Sequence, residues 1–486
     1  MRSVCVSEKG AFNGGTAVRK VLTRVKSFLG KHATFAATAY RKNARRFVNF
    51  LARLFLPKAK PDPPDLLLGR YTDAFKTKKQ LASWERAQAC YKKGQVVEAG
   101  EALLHYLCDD TRQNVEWQTS EDGIRFSLLQ GSQRIAGQIT AERVRAESAL
   151  AQAETLSVGF MRRLMELNFQ LNFCRFALSP DNALVLCFDT PAADASPIRL
   201  SHALRELAIW ADKHDDLLID EFCVLVRSSA EGKPIPQAEK EAKYLFMCQQ
   251  IRQAFEWMDK GDPDPGQYPG GYAYLLLALI YRLDYLVRPE GFVMDALERA
   301  SRAYFAQQQA DRSVGAGVQM LRRELQKILD RPREQVLAEL YRTESTFGVA
   351  SPMPFDRLVQ VIENELNAMD WPLEKGYDAL AMAVPQYIVG RTLFQYVPPK
   401  PVYELLRLFM RATEPEFFGA VGLPVWVKPN GQMDKGSILQ AIEDVVRRNQ
   451  SEFPNFQPQV KRLDFSSLLR FSKTFLEMIS RLNLAK

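Results

Sequence analysis

Between residues 115 and 149 apolar and polar residues alternate, and tight turns interrupt them; this stretch most constrains the fold. Residues 115–118 and 124–129 read as strands around Glu121-Asp122-Gly123. An Asp-Gly pair between alternating runs signals a hairpin, because glycine accepts the positive φ of a tight turn. Gly131-Ser132 then turns the chain into residues 135–139, and residues 144–149 continue the sheet. Helical periodicity surrounds this block. Residues 78–107 carry the stripes Leu81, Trp84, Ala87, Tyr91 and Val96, Ala99, Leu103, broken at Gly94. Residues 157–171 place Phe160, Leu164, Leu167 and Leu171 on one face. Strands at 173–177 and 183–188 flank Ser179-Pro180-Asp181-Asn182, and residues 201–222 form a long helix. This order implies an α+β layer, an antiparallel sheet with covering helices.

Residues 228–236, Ser-Ser-Ala-Glu-Gly-Lys-Pro-Ile-Pro, read as a linker. Beyond it the pattern predicts a large all-α domain, with helices at 239–259, 272–287, 294–309, 317–329, 333–344, 355–369, 373–389, 402–412, 435–449 and 465–482. No fixed period recurs, so an irregular bundle is expected rather than a solenoid. The expected organisation is an arm with a Pro-rich linker (1–65), an α+β domain (66–236) and a helical domain (237–486).

The net charge of +8 over 486 residues is unevenly placed. Residues 1–60 hold 14 Lys and Arg against the single acid Glu8, a net of +13, and the remainder is −5. Nucleic-acid binding is therefore not expected beyond the arm. Within residues 17–56, Val18, Val21, Leu22, Val25, Phe28 and Leu29 recur at helical spacing among Arg19, Lys20, Arg24 and Lys26. Phe47, Phe50, Leu51, Leu54 and Phe55 do so among Arg41, Lys42, Arg45, Arg46 and Arg53. Such basic amphipathic stretches suit an anionic membrane surface or an acidic partner, and a loosely docked basic leader is the plainer reading. Pro57-Lys-Ala-Lys-Pro-Asp-Pro-Pro64 ends them as a stiff linker. The seven cysteines are scattered singly without a Cys-x-x-Cys pair, which points to reduced thiols in a cytoplasmic protein.

One stretch carries a family likeness: Leu164-Met-Glu-Leu-Asn168-Phe-Gln-Leu-Asn172-Phe-Cys-Arg175-Phe176, then Ala183-Leu-Val-Leu-Cys-Phe-Asp189, then Ser201-His-Ala-Leu-Arg-Glu-Leu ending in Ala211-Asp-Lys-His-Asp215. With these residues, 82–228 resembles the YbjN-like and type III secretion chaperone-like group. The resemblance implies a protein-binding module, often a homodimer, without chemistry of its own. It makes Asn168, Asn172 and Arg175 candidate partner contacts. Asn168 and Asn172 lie four apart on one helical face, and capping of adjacent loops is the plainer role for their amides. The roughly 250 residues behind the module depart from the group's small, free-standing pattern.

Catalytic signatures are absent from the sequence. His32, His105, His202 and His214 form no HExxH or HxxxH pair, and His105 with Cys108 supplies two of the four ligands structural zinc needs. Gly261-x-x-x-x-Gly266 is followed by Gln267-Tyr268 where a phosphate loop requires Lys and Ser or Thr. No catalytic residue, metal or cofactor is assigned. The expectation is a cytoplasmic, non-enzymatic adaptor or chaperone-like protein that binds protein segments, held at a membrane surface or larger assembly by its arm. The alternative is an enzyme in the helical half, which requires acids converging on Arg391, Tyr387 or Arg411.

Overall fold

Gly123 takes φ +122° and reverses the chain between β1 (Val115–Ser120) and β2 (Gly123–Gly131). In the computed structural model, the residues described are 66–153, 157–222, 225–227, 231–309, 313–428 and 430–485. They fall in one compact unit, Pro64–Lys486. Two helices precede the sheet, α1 (Lys78–Lys92) and α2 (Val96–Leu107). Gly94, at φ +75°, separates them, and the Thr77 side chain caps α1 by accepting the Gln80 N–H. After β2 come β3 (Gln133–Ile139), β4 (Arg143–Ala153), α3 (Val158–Asn168), β5 (Arg175–Leu178), β6 (Ala183–Pro191) and α4 (Pro197–Glu221). Helix α4 begins four residues ahead of the helix expected over 201–222, because Ser196 caps it and Pro197 suits a first turn.

The sheet is antiparallel, in the order β1-β2-β3-β4-β6-β5. Ile124, Phe126, Leu128 and Gln130 of β2 are buried, while Arg125 is exposed and Ser127 and Leu129 half-buried. This alternation puts one face against α2 and α4 and the other toward solvent. Two short strands complete the sheet. β7 (Leu225–Arg227) pairs with β4 beyond the end of β3. β10 (Glu344–Ser345) pairs with Gln130 and Gly131 of β2 beyond the end of β1.

Strand β10 comes from the helical half, which is thus not wholly helical. It comprises β8 (Lys233–Pro234), α5 (Gln237–Lys260), α6 (Pro269–Val287), α7 (Gly291–Gln309), α8 (Val314–Asp330), α9 (Arg333–Ala338), β9 (Tyr341–Arg342), β10, β11 (Ser351–Pro352), α10 (Phe355–Leu366), α11 (Asp370–Glu374), α12 (Asp378–Gln395), β12 (Tyr396–Val397), α13 (Lys400–Thr413), α14 (Pro415–Ala420), α15 (Lys435–Asn449) and α16 (Leu468–Ser480). The helix expected over 333–344 stops at Ala338 because the following residues are claimed by the sheet. The Gln130 side chain accepts the N–H groups of Thr346 (3.2 Å) and Phe347 (3.0 Å) and donates to the Phe347 carbonyl (3.2 Å). The helix expected over 373–389 is two, parted at Gly376 with φ +77°.

Two hydrophobic cores result. One packs Ile124, Leu128, Leu186 and Phe188 of the sheet against Leu204, Leu207 and Ala208 of α4. The larger surrounds α6, in which Leu276, Ile280, Tyr281 and Leu283 are fully buried. The chain crosses between the cores four times. Leu66, Leu68 and Phe75 pack on the helical core before α1 begins, and Phe347 packs into the sheet core.

Candidate functional site

Helix α3 is buried on one stripe only. Phe160, Leu164 and Leu167 face inward, with Phe160 edge-on to Phe222 at 5.3 Å between ring centroids. The opposite stripe is also apolar. Val158, Met161, Met165 and the C-cap Phe169 follow one another at helical spacing and are 86%, 39%, 72% and 94% exposed. Phe173, four residues on, is exposed as well. Single exposed apolar side chains are ordinary, but a run along one helix face marks a place where another surface seats. Two methionines within it suit an irregular apolar partner, because the thioether side chain adapts its shape.

Two of the three residues predicted as partner contacts, Asn168 and Asn172, hold the end of this helix and the turn after it in place. Asn168 accepts the Phe176 N–H on Oδ1 (2.6 Å) and donates Nδ2–H to the Phe176 carbonyl (3.1 Å), tying the end of α3 to β5. Asn172 gives its backbone N–H (3.0 Å) and its amide (3.2 Å) to Glu206 of α4. The same carboxylate accepts the N–H groups of Phe173 (2.7 Å) and Cys174 (2.9 Å). Burial alone would raise the Glu206 pKa, but these donors outweigh it and hold the carboxyl below its usual range. Sequence spacing could not reveal Glu206, which lies 34 residues from Asn172 and acquires its role only when α4 packs beside the turn. Arg175 stands on the solvent face of the sheet, half exposed, and pairs with Asp189 at 2.6 Å. Arg19, Lys20, Arg24, Lys26, Arg41, Lys42, Arg45, Arg46 and Arg53 lie outside the described residues.

A second feature lies where the two cores meet, around a cleft of about 240 Å³. Arg70 donates to Asp284 from Nε (3.0 Å) and Nη2 (2.7 Å) and to Glu298 from Nη1 (2.9 Å), with its guanidinium 3.8 Å from the Phe394 ring centroid. Lys213 of α4 reaches the other Glu298 oxygen at 3.1 Å. Burial opposes ionisation of Glu298, but the Arg70 and Lys213 charges outweigh it and keep its pKa low. Asp212 and Glu290 line the same cleft under different conditions. Burial, then the charges of Glu290 and Asp215, raise Asp212 well above a normal carboxyl. Burial pushes Glu290 up to about 7, although Arg288 and the Thr343 hydroxyl (2.9 Å) pull it down.

The residues named for the enzyme alternative do not converge. Arg391 bonds Tyr387 Oη at 2.8 Å and lies over the Phe305 ring, whereas Arg411 lies over Phe418. Neither has a carboxylate within 4 Å among the described residues. Burial without such a partner lowers Arg411 to about 10. His105 packs edge-on to Trp117 at 4.7 Å. Among the described residues no group of three or more His, Cys, Asp and Glu side chains is placed to hold a metal ion, and no helix is long and apolar enough to cross a membrane. No protein-family model matches the chain, and a search of curated proteins finds no match.

Proposed function

We propose that the chain is a non-enzymatic adaptor that seats an apolar segment of a partner protein on the outer face of α3. The carrying observation is the stripe of Val158, Met161, Met165 and Phe169, with Phe169 94% exposed. The anchoring beneath it supports the reading. Asn168, Asn172 and Glu206 fix the end of the helix, so the stripe is held ready and little ordering entropy is lost on docking. The resemblance of residues 82–228 to secretion-chaperone-like modules agrees with protein binding. The basic residues 1–60 supply the attachment half of the same proposal, to an anionic membrane surface or a larger assembly.

The test is site-specific photocrosslinking from position 165 of the full chain in its native cells. A discrete adduct with a second protein, abolished by Phe169→Asp, is the expected result. Adducts only with a second copy of the chain would make the stripe a homodimer interface and replace the adaptor reading. No adduct, or one indifferent to Phe169→Asp, would remove it.

A second reading, acid–base catalysis, is favoured by the cleft that Asp212 and Glu290 share, where burial raises both carboxyls and brings Glu290 to about 7. It predicts that Glu290→Gln abolishes a cellular phenotype that Phe169→Asp leaves intact.

A further inference from the structure

The first two turns of α13 put Lys400, Tyr403, Glu404 and Arg407 at i, i+3, i+4 and i+7, and all four line a second cavity of about 360 Å³. Its other walls are the extended residues 66–72, the turn that follows α2, and Arg288 at the end of α6. The charges around it do not balance locally. Arg70 reaches the cavity, but Asp284 and Glu298 hold its guanidinium. Arg112 has Glu344 at 3.3 Å and Asp109 at 3.7 Å. The acids are engaged too. Glu404 accepts from Arg448 (2.9 Å) and Asn449 (3.2 Å). Asp109 Oδ1 accepts the N–H (3.0 Å) and hydroxyl (2.6 Å) of Thr111.

Lys400, Arg288 and Arg407 are left over. None has a carboxylate within 4 Å among the described residues. Arg288 reaches only the Thr343 hydroxyl (3.2 Å) and carbonyl (3.4 Å), and Arg407 only the Tyr285 hydroxyl (3.4 Å). Like charges lining one cavity repel, even with Lys400 and Arg407 open to solvent, and an anion between them relieves that repulsion. Burial presses the Arg288 pKa down and outweighs the more distant Glu290 charge that raises it, with Arg112 adding to the fall.

Two backbone features point the same way. Arg288 caps α6 in the left-handed region, φ +49° and ψ 62°, where glycine is unstrained and any other residue loses roughly 1–2 kcal/mol. The strained position carries the guanidinium to the cavity. Helix α13 opens there without a side-chain cap, so the positive end of its dipole is not neutralised by a capping carboxylate or hydroxyl.

We propose that this cavity binds a small phosphorylated molecule, with Arg288, Arg407 and Lys400 holding its phosphate. Guanidinium groups offer parallel N–H donors matched to phosphate oxygens, and three cations balance a dianion better than a single carboxylate. Tyr71, Tyr403 and Phe75 provide aromatic surface for the organic part. The three cations come from two separate helices, so an occupant would brace the end of α6 against the start of α13.

The test uses the full chain with inorganic pyrophosphate as probe. Thermal unfolding in millimolar pyrophosphate is compared with KCl at equal ionic strength, and binding is titrated calorimetrically. Ligand that binds only the folded chain raises the midpoint, here by about 2–4 °C. Arg407→Gln alters an exposed helix position, and Arg288→Gly relieves the left-handed backbone while giving up the Thr343 contacts, so the anion-induced shift of each variant is measured from its own midpoint without anion. Each should weaken pyrophosphate at least about tenfold, the equivalent of one lost charge-assisted contact. The basic residues 1–60 also attract polyanions. Binding that survives unchanged in both variants would belong there and overturn the proposal, as would a pyrophosphate shift no larger than that of KCl.

Discussion

Asn168 clasps the backbone of Phe176 from both sides, taking its N–H at 2.6 Å and donating to its carbonyl at 3.1 Å. Strand β5 is the last of the sheet, paired with β6 on one side only, so Asn168 stands where a further strand would. Asn168→Ala should cost about 1–3 kcal/mol, the loss of two half-buried hydrogen bonds. The urea midpoint should fall with unchanged slope. Asn168→Asp keeps the acceptor but sets a carboxylate oxygen against the Phe176 carbonyl, and should cost at least as much.

Arg70 and Asp284 join the extended residues before α1 to helix α6. Their side chains are 14% and 7% exposed. Asp284→Ala leaves Arg70 with Glu298 alone, so part of its compensation survives, and the loss of the two charged hydrogen bonds to Asp284 should cost about 2–3 kcal/mol. Chemical unfolding should show a loss of that size. Arg70→Met, which fills similar volume without charge, still leaves Asp284 unpaired and should also destabilise, whereas the double variant Arg70→Met, Asp284→Leu should recover much of the loss.

The pH dependence of stability has two opposed parts. Glu290 has its folded pKa raised to about 7 from an ordinary 4.5. The folded state therefore binds the extra proton, and stability falls as pH rises from about 4.5 to 7. His214, buried against Phe176 and stacked on Trp210 at 4.6 Å, has its pKa depressed to about 4 from 6.5, by burial first. There the unfolded state binds more protons, so stability falls as pH drops from about 6.5 to 4. The slopes oppose one another between about 4.5 and 6.5 and produce a broad maximum. Glu290→Gln should stabilise the chain at pH 8 by about 1–3 kcal/mol and flatten the alkaline decline, to which the raised Asp212 also contributes. His214→Phe should shift the acid midpoint downward. Thermal melts of both variants from about pH 4 to 8 measure this.

The sheet was legible because its strands announce themselves locally. Gly123 and Gly131 sit where the turns were read, and the four strands from Val115 to Ala153 contain the predicted runs. Helices with a strong apolar stripe were equally plain, α15 to the residue. Strands β7 and β10 were not legible, since three- and two-residue strands carry no period and exist only through the edges they meet. Strand β10 lies more than 200 residues from its partner Gln130. The outer stripe of α3 was present in the sequence, as Val158, Met161, Met165 and Phe169. An apolar residue reads as core until burial shows which stripe is covered, so the sequence alone does not separate the outer stripe from the inner one. The uncompensated cations around α13 were also hidden, because Arg288 and Arg407 are 119 positions apart and only the fold shows which arginines already have acids.

Gly131 connects β2 to the seam more tightly than its position in a hairpin suggests. It takes φ +56°, and a Cβ there would lie 1.7 Å from Asp212 Oδ1. That carboxylate accepts the Ser132 N–H at 2.8 Å. An added methyl must therefore displace Asp212, release the Ser132 N–H and force alanine into the left-handed region. The combined cost of Gly131→Ala is about 2–4 kcal/mol. Gly94, at φ +75°, has nothing within 4 Å of the place a methyl would take, so substitution there isolates the backbone contribution. Gly94→Ala should therefore cost only about 1–2 kcal/mol. The difference between the two urea midpoints measures how firmly Asp212 is held against the β2–β3 turn, and equal losses would mean that the carboxylate moves aside freely.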